Sequence, residues 1–259
     1  VHVCGAPRME ARPGVSTVSR MHDNFDAGLK AIDELDGATP LLFSRFYVAG
    51  DLSRESRRDA LALAAALGHR AAAVTAPERA DLIVTGSTPG GAPGRVTLDP
   101  SALSELEGAR ATVAVAPRGL ADRDDYELRQ IDVGIDGSRE ATAALGTAVR
   151  LALAHAARLR LIGIAEIAFD LDGTPRDADT RELKRLARHL EQAADRLAGL
   201  SVAAELREGL PDQILLGLAR EADLLVLGSR ATYGGAGEVA LGDLGKRILR
   251  RASCATLIV

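Results

Sequence analysis

Residues 222–259 read ADLLVLGSRATYGGAGEVALGDLGKRILRRASCATLIV, and this stretch decides the fold. Leu224-Leu225-Val226-Leu227 is a short apolar run ending at Gly228, which suits a buried parallel strand. A nearly uncharged segment follows, with glycines at 228, 234, 235, 237 and 242. From Asp243 to Arg251 the apolar positions 244, 248 and 249 share one side, and Lys246, Arg247, Arg250 and Arg251 lie on the other. That spacing predicts an amphipathic helix, acidic at its start and basic at its end, as the helix dipole favours. Its basic face reads as solvated charge rather than an anion patch. Ser253 and Cys254 break the helix, and Thr256-Leu257-Ile258-Val259 reads as a second buried strand. Strand, glycine-rich loop, helix and strand form a βαβ unit, and a glycine loop entering a helix is where such units bind phosphate.

The same ending occurs twice. Asp81-Leu82-Ile83-Val84-Thr85-Gly86-Ser87 parallels Asp223-Leu224-Leu225-Val226-Leu227-Gly228-Ser229, and the strand pattern of residues 111–115 returns at 255–259. Repetition at this scale divides the chain into 1–117, a charged linker 118–130, and 131–259. The second copy opens with a strand at 131–135 and an Asp136-Gly137-Ser138 turn, with Ser138 placed to cap a helix running to about residue 157. A strand at 159–165 follows. Asp179 and Glu182, at capping-box spacing, then open a helix with an apolar stripe at Leu183, Leu186, Leu190, Ala194 and Leu197. A strand at 201–206, a helix at 211–220 and the strand from Leu224 complete an alternating βα pattern.

The stretch from Gly228 resembles the C-terminal signature of the universal stress protein family, in which a strand ends in G-x2-G-x9-G-S/T. Gly228 is the first glycine, Ala231 stands at the second, and Gly242, one residue late, stands at the third. Asp243 occupies the Ser/Thr position. Val133 to Ser138 is similar to the family's V-x-x-D-G-S first-strand ending. The resemblance implies an α/β fold: two doubly wound parallel-sheet domains in tandem, Rossmann-like and of the adenine nucleotide alpha hydrolase-like kind. It also implies ATP or a related adenine nucleotide across the carboxyl ends of the strands, the usual ligand position in open α/β sheets. The adenosine side would be Asp136 with backbone near Ile164. The phosphate side would be Gly228, Ser229, Ala231, Gly242 and Asp243. A carboxylate about 4 Å from phosphate repels it by roughly 1 kcal/mol in water and about 4 kcal/mol at an effective dielectric of about 20. Losing the hydroxyl's hydrogen bond adds about 1 kcal/mol. Together these weaken affinity roughly thirtyfold to several-thousandfold. A magnesium ion bridging Asp243 and phosphate would reverse that sign. The expected cofactor is therefore none, or weakly bound ATP with magnesium.

The first copy departs further. Val1-His2-Val3 reads as the tail of its second strand, 26–35 as its second helix, 41–48 as its third strand and 53–67 as its third helix, leaving it without a first strand and helix. Residues 71–80 read either as an extra strand or as an extension of that third helix. An alternative register sets Val48, Asp51, Ser53 and Glu55 against Val133, Asp136, Ser138 and Glu140. Pro89, Asp99 and Pro100 replace the loop's second glycine, third glycine and Ser/Thr, so this copy is not expected to hold nucleotide.

Composition narrows the function. A net charge of −4 argues against a nucleic-acid footprint. There is no apolar run long enough to span a bilayer, so a soluble, cytoplasmic protein is expected. Cys4 and Cys254 form neither a disulfide framework nor a zinc site, and the five histidines show no metal spacing. No P-loop or nucleophile-elbow motif is present, so no catalytic residue is assigned. The expected function is non-catalytic stress-response regulation through a protein partner the sequence does not identify, the rival being an ATP-binding sensor with slow hydrolysis in the second copy. The two final strands, 112–115 and 256–259, are apolar sheet edges. They are expected to pair antiparallel within the chain, burying both edges, with a homodimer secondary.

Overall fold

The computed structural model describes residues 42–68, 70–166, 168–169, 175–176, 180–229 and 241–259. The expected elements at 1–3 and 26–35 lie outside these residues. So do Ala231 and the glycines at 234, 235 and 237.

The described chain forms β1 (Arg45–Val48), α1 (Arg54–Leu67), β2 (Ala72–Ala73), β3 (Leu82–Gly86), α2 (Pro100–Leu106) and β4 (Thr112–Ala116). It continues with β5 (Gln130–Ile135), α3 (Arg139–His155), β6 (Arg158–Glu166), a small hairpin of β7 (Ala168–Phe169) and β8 (Pro175–Arg176), and α4 (Thr180–Arg196). The end is β9 (Val202–Gly209), α5 (Pro211–Leu218), β10 (Leu224–Leu227), α6 (Asp243–Ile248) and β11 (Ala255–Ile258). Nine strands make one sheet in the order β2-β1-β3-β4-β11-β10-β5-β6-β9. Every pairing is parallel except the central one, where β11 runs antiparallel to β4 with Leu257 opposite Ala114. That is the pairing expected from the two apolar final strands.

Strand alternation divides the core into two layers. Leu82, Val84, Ile131, Val133, Leu224, Val226 and Leu257 face one side, under α1, α3 and α4. Ile83, Val113, Val115, Leu225, Leu227 and Ile258 face the other, under α2, α5 and α6. In α4 the buried positions are Leu186, His189, Leu190 and Ala193, so Ala193 takes the place expected for Ala194. One strand interior carries charge. Asp132 is fully buried and receives Arg160 bidentately, Nε to Oδ1 at 2.9 Å and Nη2 to Oδ2 at 2.6 Å. Burial pushes the Asp132 carboxyl up, and the guanidinium opposes that push. Arg160 also donates to the Leu218 carbonyl at 3.1 Å, so the pair ties β5 and β6 to the end of α5.

The first half corrects one expectation. β1 pairs β3 with Val48 beside Val84, just as β5 pairs β10 with Val133 beside Val226. Asp81 accepts the Ser44 and Arg45 amides at 3.0 and 3.1 Å, and Asp223 accepts those of Arg129 and Gln130 at 2.9 Å each. Ser53 caps α1 through the Ser56 amide, and Ser138 caps α3 through the Ala141 amide. Residues 45–48 are therefore the first strand of this half and α1 its first helix, not its third strand and third helix. The alternative register is the observed one. Residues 71–80 supply β2 and a short turn at Pro77–Arg79, not an extension of α1. Only residues 74–81 separate β2 from β3, against 167–223 between β6 and β10, so among the described residues no strand intervenes between those two in this half. The expected linker is packed down: Leu120 and Leu128 are buried, and Asp59 accepts the Gly119 and Ala121 amides at 2.9 Å each.

Asp81 offers a test of how β1 is held. Its carboxyl lies below the ordinary value of 3.8, because the Ser44 amide and Arg45 outweigh the upward push of burial. A lowered carboxylate contributes stability that is present above its unfolded pKa and lost as pH falls through its folded one. With the side chain 33% exposed, Asp81→Ala should cost about 1 kcal/mol in urea unfolding at neutral pH, and the difference should shrink below pH 3.8. A pH-independent difference would point to packing instead.

Candidate functional site

A cavity of about 390 Å³ opens at the carboxyl ends of β5, β6, β10 and β11. The fold places it there because parallel strands end together while their helices leave on both sides. Ile162, Leu215, Leu227, Leu241 and Ile258 give it an apolar floor. Asp136, Ile164, Gly228, Ser229, Gly242 and Asp243, six of the seven residues expected at the site, line it together. The seventh, Ala231, lies outside the described residues.

The turn after β5 is set by its own hydrogen bonds. Asp136 Oδ1 accepts the Ser138 amide at 2.9 Å, and Gly137 has φ +79°. A side chain at Gly137 is blocked twice, by that dihedral and by buried His189, whose Nδ1 would be 2.5 Å from an added Cβ. Gly228 is also confined: a Cβ there would lie 2.4 Å from the Glu140 carbonyl carbon and 2.7 Å from the Ala141 nitrogen. The first turn of α3 rests on that glycine. Gly86 shows the same constraint in the other half, with a Cβ 2.1 Å from the Ser56 carbonyl oxygen. Helix packing therefore accounts for glycine at both strand ends, independently of any phosphate.

Several residues on the cavity wall were not foreseen as site residues, among them three charged ones. Glu166 and Glu182 bring carboxylates from the ends of β6 and α4; Arg247 and Leu244 come from α6. Glu166 lies two residues beyond Ile164 on the same strand, and Arg247 one helical turn beyond Asp243, so period-2 and i,i+4 spacing could have found both. Arg247 is engaged elsewhere, with Nε 3.3 Å from Asp212 Oδ2, and Lys246 pairs with Glu107. The described wall thus carries Asp136, Glu166, Glu182 and Asp243 against one guanidinium already bound to a carboxylate. α6 is six residues long and its N-cap, Gly242, supplies no side-chain hydrogen bond. Among the described residues, α6 thus brings Asp243 and Arg247 to the cavity as its charged side chains.

The corresponding loop of the first half closes on itself. Ser87 Oγ donates to the Ala116 carbonyl at 2.8 Å and accepts the Thr97 amide at 3.1 Å. Thr88 Oγ1 donates to the Thr97 carbonyl at 2.9 Å, and Arg118 Nη1 to that of Gly91 at 2.6 Å. From there the loop crosses to the other half, the amides of Val96 and Leu98 donating to the Ala252 and Leu249 carbonyls at 2.7 and 3.2 Å. The hydroxyls of Ser87 and Thr88 are thus bonded within the protein.

The sequence model of the Universal stress protein family matches residues 127–259. No curated protein matches. Among solved structures, a universal stress protein from Archaeoglobus fulgidus is 16% identical with TM-score 0.56, covering 83% of this chain and 95% of that one. A protein from Pseudomonas aeruginosa, described as a putative universal stress protein, is 15% identical with TM-score 0.52, covering 96% of this chain and 90% of that one. A universal stress protein in complex with cAMP is 28% identical with TM-score 0.40, covering 51% of this chain and 97% of that one. The first two likenesses establish the fold.

Gly228→Ala tests the packing account directly. Overpacking α3 against β10 should lower stability by about 1–3 kcal/mol, read as a shifted urea midpoint. Gly86→Ala should do the same at the first-half counterpart. An unshifted midpoint in both would leave the glycines without this structural reason.

Proposed function

We propose that this chain, which belongs to the universal stress protein family on the match over residues 127–259, is a non-catalytic regulatory protein with weakened adenine-nucleotide binding. We read it as a tandem pair of family units joined as an internal pseudo-dimer through β4 and β11. The second unit takes the adenosine part of a nucleotide against Asp136 and Ile164, and the first binds none. The observation that supports this reading is the wall of the cavity, where Asp243 lines the end we assign to phosphate and Arg247 pairs with Asp212.

The absence of catalysis is part of the same proposal. Ser138 is committed to capping α3. Cys254 is buried, and burial pushes its thiol up, away from the thiolate a nucleophile needs. Among the described residues, no three His, Cys, Asp or Glu side chains group to hold a metal ion, and no helix is long and apolar enough to cross a membrane. We place the protein in the cytoplasm, acting through a protein partner.

A sensor that binds and slowly hydrolyses ATP is the rival reading, favoured by the intact Asp136–Ser138 turn. Calorimetry with ATP and adenosine, each with and without Mg²⁺, separates them. We expect ATP to bind more weakly than about 0.1 mM, no tighter than adenosine, and Asp243→Ser to tighten ATP roughly tenfold or more. Low-micromolar ATP binding abolished by Asp136→Ala would establish the sensor instead.

A further inference from the structure

The two ends of the sheet are unlike. β2, at one end, is two residues long, the short form in which an edge is least hazardous. β9, at the other, is eight residues long, and no described strand lies on its outer side. Its sequence is Val202-Ala203-Ala204-Glu205-Leu206-Arg207-Glu208-Gly209. Leu206, at 36% exposure, is among the most exposed large apolar residues described.

The outward register follows from one bond. The Leu159 amide donates to the Ser201 carbonyl at 2.8 Å, so odd-numbered residues of β9 turn their backbone groups toward β6. Even-numbered residues, 202 to 208, turn theirs outward. A strand added antiparallel must set its own outward residues opposite these. If that strand is β9 of a second copy, few two-fold registers remain. A dyad at Glu205 opposes two carboxylates, a dyad at Arg207 opposes two guanidiniums, and a dyad at Ala204 leaves Arg207 opposite Ser201. A dyad at Leu206 is different. It sets Leu206 against Leu206 as a hydrogen-bonded pair and Ala204 against Glu208. It also sets Glu205 against Arg207 twice, at the non-hydrogen-bonded positions where side chains approach most closely.

We propose that β9 is a homodimerisation edge, pairing antiparallel with β9 of a second copy about a dyad at Leu206. The charges that fit this register repel most others, so they also guard the edge against unspecific pairing. Within one chain Arg207 Nη2 already lies 2.6 Å from Glu205 Oε2, so the opposed side chains of two copies form a four-charge row. Because β4 and β11 are paired inside the chain, this dimer extends the sheet at its far end and leaves the central pairing untouched.

Sedimentation of the full chain tests it. The wild type should dimerise. Arg207→Glu and Glu205→Arg should each raise the dimer dissociation constant roughly tenfold or more, by opposing like charges at two places. Combining both should restore the dimer, since the exchanged charges match again. Unchanged circular dichroism melting of Arg207→Glu separates loss of pairing from loss of folding. Should Glu205→Arg unfold, since Glu205 also lies 3.8 Å from Arg160, Leu206→Cys with a short bis-maleimide linker gives a second readout: cross-linked dimer absent from the wild type. A monomeric wild type, a dimer indifferent to Arg207→Glu, or a folded double variant that remains monomeric would overturn the proposal.

Discussion

The sheet is continuous because two buried strands pair antiparallel at its centre. Thr256, Leu257 and Ile258 lie opposite Val115, Ala114 and Val113, all but fully excluded from water. Each strand alone would be an apolar edge with a row of unmet amides and carbonyls, which proteins hide or pair. Pairing them places both βα layers on one platform and lets the first half share a core with the second. The first-half helix α1 and the second-half helices α3 and α4 join one apolar cluster on one face of the sheet.

The second half was legible because its signals were local and repeated. Apolar runs of four, an Asp-Gly-Ser turn and Ser138 as a cap each fix one element, and the elements alternate in one way only. The first half was misread because nothing in Arg45–Val48 tells a first strand from a third, and its turn is worn to Asp51-Leu52-Ser53. The sheet partner of Val48, the Asp81 bonds and the Ser53 cap identify it as a first strand. Asp132 was illegible for another reason. A charge within a strand reads as solvent-facing, and the partner that permits its burial, Arg160, sits on the neighbouring strand. Six of the expected site residues meet in one cavity, because strand ends and glycine positions are written in sequence. Glu182 comes from a helix whose tilt is not.

The glycines carry a lesson about motifs. Gly86 and Gly228 occupy matching strand ends, and each is pressed by the backbone of a capped helix; Gly228 also lines the cavity. A residue can satisfy a nucleotide signature for reasons of packing alone. In the first half the loop that follows is tied by its own groups, Ser87 and Thr88 both bonding to the Thr97 backbone.

That loop also bears on autonomy. α6 has six residues, fewer than an isolated helix needs to persist in water. Its C-terminal carbonyls at Leu249, Arg251 and Ala252 receive Leu98, Arg95 and Val96 from the other half, and Val96 and Leu98 are buried against it. One wall of the cavity is therefore upholstered by a segment more than a hundred residues away in the chain. The stretch that carries the family signature thus leans on the first half, whose residues 95–98 brace the end of α6.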